Sequence, residues 1–106
     1  MNIYRQGDLV IKPIEKLPEN LKVISEEDEF VLAEGEQTGH KHILVAEPQT
    51  MKILQDTNGK FYLDFSSSVN LTHQEHQIIT IPFGIYEVGN EQEYDYFLQE
   101  VKKVTD

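Results

Sequence analysis

The sequence predicts an all-β domain, mostly antiparallel, built as a small β-barrel or β-sandwich, and three observations predict it. Short runs of β-branched and aromatic residues recur along the chain with turn signals between them. Asn58-Gly59 stands between two such runs, the strongest short-range hairpin signal. Phe61, Leu63 and Phe65 alternate with Tyr62 and Asp64, the period of a strand with one face turned inward. At 106 residues the chain is read as a single domain, 1–106, large enough to bury a modest core without staples.

Ile3-Tyr4-Arg5 leads into the turn signal Gln6-Gly7-Asp8, and Leu9 to Ile14 reads as a strand whose Pro13 belongs at an edge or bulge. After a connection through Pro18, Leu21 to Ile24 is a second short strand. The like charges of Ser25-Glu26-Glu27-Asp28-Glu29 suit a solvated loop. Phe30 to Glu34 resumes a strand, and Gly35 and Gly39 mark a turn or bulge before a strand over 40–45. Met51 to Gln55 and Phe61 to Phe65 form the arms of the Asn-Gly hairpin, for which type I′ geometry is expected. Ser66 to Ser68 is a loop, Ile78 to Ile81 a strand, Pro82-Phe83-Gly84 a type I turn, and Ile85 to Val88 a further strand. The end is read two ways. Tyr94, Phe97, Leu98, Val101 and Val104 have helical spacing behind an Asn90/Glu93 capping box. Alternatively Gly89-Asn90 is a hairpin turn with Tyr94, Tyr96 and Leu98 alternating beyond it. A strand to about Tyr96 is preferred, with a short C-terminal helix as the alternative.

The formal net charge is -10, and it is uneven: residues 1–24 hold four basic and three acidic side chains, the remainder five and sixteen. Such a surface repels nucleic-acid phosphates and favours cations or a basic protein partner. No nucleic acid is therefore expected as a partner. No stretch approaches the roughly 18 apolar residues of a membrane span, so no membrane is expected either. Met1 to Arg5 lacks an apolar signal core, and the chain has no cysteine, which together suggest a cytoplasmic setting. Without cysteine there is no thiolate ligand or nucleophile.

All four histidines fall in two short clusters, Gly39-His40-Lys41-His42 and Thr72-His73-Gln74-Glu75-His76. On a strand, His40 and His42 project from one face while Lys41 points to the other. Thr72 and Glu75 have capping-box spacing, and on one helical turn His73 and His76 lie on one side. Each cluster then presents two imidazoles, and antiparallel neighbours can aim both pairs at one divalent metal ion, about 2.0–2.1 Å from each nitrogen. Glu34, Glu36 and Glu75 are nearby carboxylates, available as extra ligands or as acceptors that orient the rings. Three or four imidazole nitrogens with a carboxylate suit zinc, iron, manganese, nickel or copper. The bland reading is a set of satisfied or exposed turn histidines. A metal-free reading uses two histidines as general base and acid, with phosphodiester cleavage as the reaction, which the negative charge disfavours.

Arg5-Gln6-Gly7-Asp8, Leu32-Ala33-Glu34-Gly35-Glu36-x-Thr38-Gly39-His40-x-His42, Leu71-Thr72-His73-x-Glu75-His76 and Pro82-x-Gly84-x-Tyr86-x-Val88 stand in this order. The chain thereby resembles a group of small uncharacterised bacterial and phage proteins carrying the same phrases, with Glu93-Tyr94-Asp95 near the end. The resemblance spans most of the chain, excluding Glu15–Phe30 and the Asn-Gly hairpin, and implies no mechanism. A fainter similarity to cupins, metal-binding β-barrels with a His-x-His phrase after glycine, is one of architecture only. A cupin's acidic ligand would follow His42 within a few residues, where Glu47 is a loose match, and the second cupin phrase is absent.

Two functional expectations follow: a divalent-metal site at His40, His42, His73 and His76, structural or hydrolytic, or a non-enzymatic acidic phage or mobile-element protein that binds and modulates a host protein.

Overall fold

A computed structural model describes residues 2–34 and 40–90. Among the described residues, ten strands form two antiparallel sheets and there is no helix. The strands are β1 (Tyr4–Gln6), β2 (Leu9–Pro13), β3 (Lys22–Ser25), β4 (Glu29–Glu34), β5 (Lys41–Val45), β6 (Met51–Gln55), β7 (Phe61–Phe65), β8 (Val69–Thr72), β9 (Ile79–Ile81) and β10 (Gly84–Asn90). The six-stranded sheet runs β1-β2-β10-β7-β6-β3 and the four-stranded sheet β4-β5-β8-β9. They are two open sheets packed face to face, a sandwich and not a closed barrel.

The core lies between the sheets. Leu9, Ile11, Met51, Ile53, Leu63, Phe65, Tyr86 and Val88 come from the larger sheet, and Leu32, Leu44, Val69, Leu71 and Ile81 from the smaller. Strand parity decides this list: Leu63 and Phe65 of β7 face inward as their alternation predicts, with Phe61 packed against the same cluster. Burying each of these side chains stabilises the fold by about 1.5–3 kcal/mol relative to exposure.

The β6–β7 hairpin forms where Asn58-Gly59 predicts it, but its turn is not type I′. Only Gly59 has positive φ, at 87°, and Asn58 does not. Gly59 N donates to Asp56 O at 3.1 Å, and Asp56 N to Lys60 O at 3.0 Å. Asp56 Oδ1 accepts from the backbone N–H of Asn58 and of Lys60, at 2.8 and 2.9 Å. The aspartate side chain thus organises a longer loop, and glycine alone takes the left-handed position.

Two other expectations are corrected. Gly89 and Asn90 do not turn; they continue β10, opposite Val10 and Leu9 of β2. Cross-strand pairing overrides the local turn preference there. Residues 73–78 form an irregular loop, not a helical turn. Thr72 does not cap it, because its hydroxyl donates to Ile43 O of β5 at 3.2 Å. Pro13 fits its edge role: β2 pairs with β1 only up to Ile11 opposite Tyr4, while Ile14 N bonds Ile85 O on the other side. Its missing N–H therefore faces the side where β1 has ended. The bulge expected over 35–39 and the strand or short helix beyond Asn90 lie outside the described residues.

Candidate metal centre

The two histidine clusters meet at one end of the smaller sheet. β5 and β8 are neighbours, with Ile43 opposite Thr72 and Leu44 opposite Leu71. The residues just before β5 and just after β8 are thereby held side by side. A bond from Lys41 N to Gln74 Oε1, 2.9 Å, ties the histidine-bearing loop to β5. The β1–β2 turn, Gln6-Gly7-Asp8, closes over the same end.

His73 is the central ring. Its centroid lies 4.4 Å from that of His42, 4.5 Å from His76 and 5.7 Å from His40. His42 and His76 are stacked 6.2 Å apart at an interplanar angle of 13°. His40 lies one residue before β5 and is half-buried, as is His73; His76 is exposed. His42, inward-facing on β5, is 2% exposed. As the side chains stand, no group of three or more His, Asp or Glu among the described residues is spaced to hold a metal ion.

Of the carboxylates singled out, Glu75 belongs to the cluster: its Oε1 is 3.6 Å from His40 Nδ1, beyond hydrogen-bond range. Glu34 ends β4 opposite Lys41. Glu36 lies outside the described residues.

Three residues that the sequence suggested only as a turn belong to the site. Gln6 is 3% exposed. Its Nε2 donates to Leu71 O at 3.1 Å and to Gln77 O at 3.0 Å. Both amide hydrogens are thus used on carbonyls, and the oxygen must face His42, whose Nδ1 lies 2.9 Å from Gln6 Oε1. His42 therefore carries its proton on Nδ1 and its lone pair on Nε2. Gly7 has φ +61°, and a Cβ there would lie 3.2 Å from His76 Nε2 and 3.6 Å from His42 Nε2. Both nitrogens border the space that the missing side chain leaves. Asp8 adds a negative charge felt at His42.

Burial holds the His42 pKa below the ordinary histidine value, helped by His73 and His76 and opposed by Asp8. His73 is also lowered, first by desolvation, then by His76 and His40, against a smaller opposing effect of Glu75. Adjacent imidazoles disfavour one another's protonation, so these two rings stay neutral, the form that ligates a metal or accepts a proton.

The family described as "Domain of unknown function (DUF8820)" matches residues 5–91. The chain belongs to that family. The match takes in both histidine clusters and the Gln6-Gly7-Asp8 turn, and it assigns the DUF8820 domain no activity. No curated protein and no solved structure matches the chain. Among the described residues, no helix is long and apolar enough to cross a membrane.

Proposed function

We propose that this domain binds a divalent transition-metal ion through the imidazoles of its four-histidine cluster, His40, His42, His73 and His76. The observation that carries the reading is the state of His42. It is buried, held at Nδ1 by Gln6, and turns Nε2 toward the space at Gly7 that His76 Nε2 also borders. A ligating histidine characteristically donates its other ring N–H to a fixed acceptor in this way. His76 is exposed on an irregular loop, so a change of its rotamer moves no residue of the core. A cysteine-free set of neutral nitrogens suits zinc, nickel, copper or iron better than calcium or magnesium. Water on such an ion would be acidified toward neutrality, which would supply the reagent for a hydrolytic role, while a structural role would need the imidazoles alone.

The test is elemental analysis of protein purified without a histidine tag, followed by melting curves with and without each ion, repeated for His42→Ala. Binding confined to the folded state adds about 2.7 kcal/mol at a hundredfold excess over Kd. A midpoint that no ion moves excludes the reading.

A second reading draws on the net charge of -10 and on Ile78 and Phe83, which are 64% and 74% exposed. An acidic phage or mobile-element protein in the cytoplasm would use such a surface to bind and modulate a basic host protein. Partner binding that survives alanine at all four histidines favours this reading over the metal centre.

A further inference from the structure

The two flanks of the sandwich end differently. At one, β1 closes on the smaller sheet, with Gln6 donating to Leu71 O of β8 and to Gln77 O. At the other, β3 is the last strand of the larger sheet and β4 the last of the smaller, and among the described residues no strand pairs with either on its outer side. β3 pairs with β6 alone, from Lys22 opposite Gln55 to Ser25 opposite Ile53, so its outer row of backbone N–H and C=O groups is open. Its centre is apolar, with Val23 and Ile24 45% and 38% exposed. The chain then runs directly into Glu26-Glu27-Asp28-Glu29, all of them exposed. Glu26 also lines, together with Lys52 and Asp64, a hollow of about 640 Å³. None of these five carboxylates has a cation within ion-pair distance among the described residues. Even Lys52, the cross-strand partner of Asp64, stays outside it.

We propose that the free edge of β3 is the docking site for an extended basic segment of another protein, which adds to the larger sheet as a further strand and sets a lysine or arginine beside Glu26 and Asp64. This rests on the reading of a basic protein partner and gives that partner a strand edge to pair with. Main-chain bonds along β3 supply affinity, and apolar side chains beside Val23 and Ile24 fix the register. The uncompensated carboxylates select the sign of the incoming charge. A second copy of the chain is disfavoured as occupant, because it carries the same net charge of -10.

The experiment titrates three synthetic peptides into the full chain labelled with nitrogen-15. One is Arg-Thr-Val-Thr-Val-Thr-Arg, and the second replaces both arginines with glutamate. The third is the arginine peptide N-methylated at every central residue, which keeps its charge but cannot donate to a strand. Amide shifts and hydrogen exchange locate each peptide. Expected for the arginine peptide in low salt is a Kd below about 1 mM, with exchange slowed along β3, and binding of the other two weaker by about tenfold or more. Glu26→Gln combined with Asp64→Asn weakens the arginine peptide about fivefold, the scale of two exposed ion pairs. Equal binding of the N-methylated peptide overturns the inference, since charge then adheres without strand pairing. Protection of β4 or β9 in place of β3 overturns it too, while leaving the basic-partner reading standing. Exchange along β3 that slows with protein concentration alone assigns the edge to a second copy and likewise overturns it. Failure of the arginine peptide to bind overturns the inference, and if polylysine also leaves the spectrum unchanged, the basic-partner reading fails with it.

Discussion

Gly7→Ala probes a close backbone approach to the histidine cluster, and Gly59→Ala supplies its reference. Both glycines have positive φ, +61° and +87°, where an L side chain costs about 1–2 kcal/mol. At Gly59 the new Cβ meets only Gln55 Nε2, at 3.8 Å, an ordinary contact. Backbone strain is then the whole effect. At Gly7 the Cβ lies 3.2 Å from His76 Nε2 and 3.4 Å from His42 Cε1. His42 has nowhere to retreat, being buried and tied to Gln6. Exposed His76 must give way, and leaving its rotamer adds about 0.5–1.5 kcal/mol. Gly59→Ala should therefore lose about 1–2 kcal/mol and Gly7→Ala roughly 1.5–3.5 kcal/mol, the sum of those two effects. Urea unfolding of both variants measures the difference, and each kcal/mol moves Tm by about 4–8 °C in a domain near this size. The added methyl also occupies the space between His42 and His76, so any metal-induced rise in Tm should shrink in Gly7→Ala and persist in Gly59→Ala. If Gly7→Ala is no more destabilising than Gly59→Ala, the close approach of this turn to the imidazoles is refuted.

Gln6→Leu should destabilise by roughly 2–5 kcal/mol, because it strands Leu71 O, Gln77 O and His42 Nδ1–H together; a loss below about 1 kcal/mol in denaturant titration would contradict the bonding described. Leu71→Ala, at a fully buried position between the sheets, should cost about 2–5 kcal/mol by the same assay. His42 and His73 titrate below their unfolded value of 6.5, so between that value and their folded values the unfolded chain binds more protons. Their contribution is therefore fully present above pH 6.5 and lost as pH falls through the folded values. Unfolding free energy measured from pH 7 to 5 should decline, and less steeply in His42→Gln; parallel profiles would show that His42 is not the group responsible.

Local rules made much of the fold legible. The β6–β7 hairpin, the inward face of β7 and the parity of β5 depend on turn chemistry and on a period of two, both readable over a few residues. What escaped depends on distant partners. Gln6 reads as part of a Gln-Gly-Asp turn, and its importance lies in carbonyls 65 and 71 residues further on. Only its place in the Arg5 to Asp8 phrase signalled that this turn is more than a connection. The capping-box pattern at Thr72 and Glu75 misled because the hydroxyl found a carbonyl on the adjacent strand instead. Gly89-Asn90 misled for the same reason, a strand partner outweighing a turn preference. His73 and His76 are adjacent all the same, in a loop whose conformation no local pattern announces.

A buried imidazole by itself argues only for a satisfied polar pair, and Gln6 with His42 would be complete as one. The three further rings are what that account leaves without a purpose. Desolvation first, and then the neighbouring rings, lower the proton affinity of His42 and of His73, so the cluster weakens the fold on acidification and offers no hydrophobic gain that leucine or valine would not exceed. A sandwich that needed only to fill its end would use apolar side chains there, as it does at Leu44, Leu71 and Ile81. Instead it places a glycine against two ring nitrogens, fixes one tautomer with a buried amide and sets the opposite one with a backbone N–H. Each setting is held by its own partner within the chain, Gln6 Oε1 at His42 and the Glu75 N–H at His73, so loss of either partner should release the tautomer of one ring and leave the other unchanged.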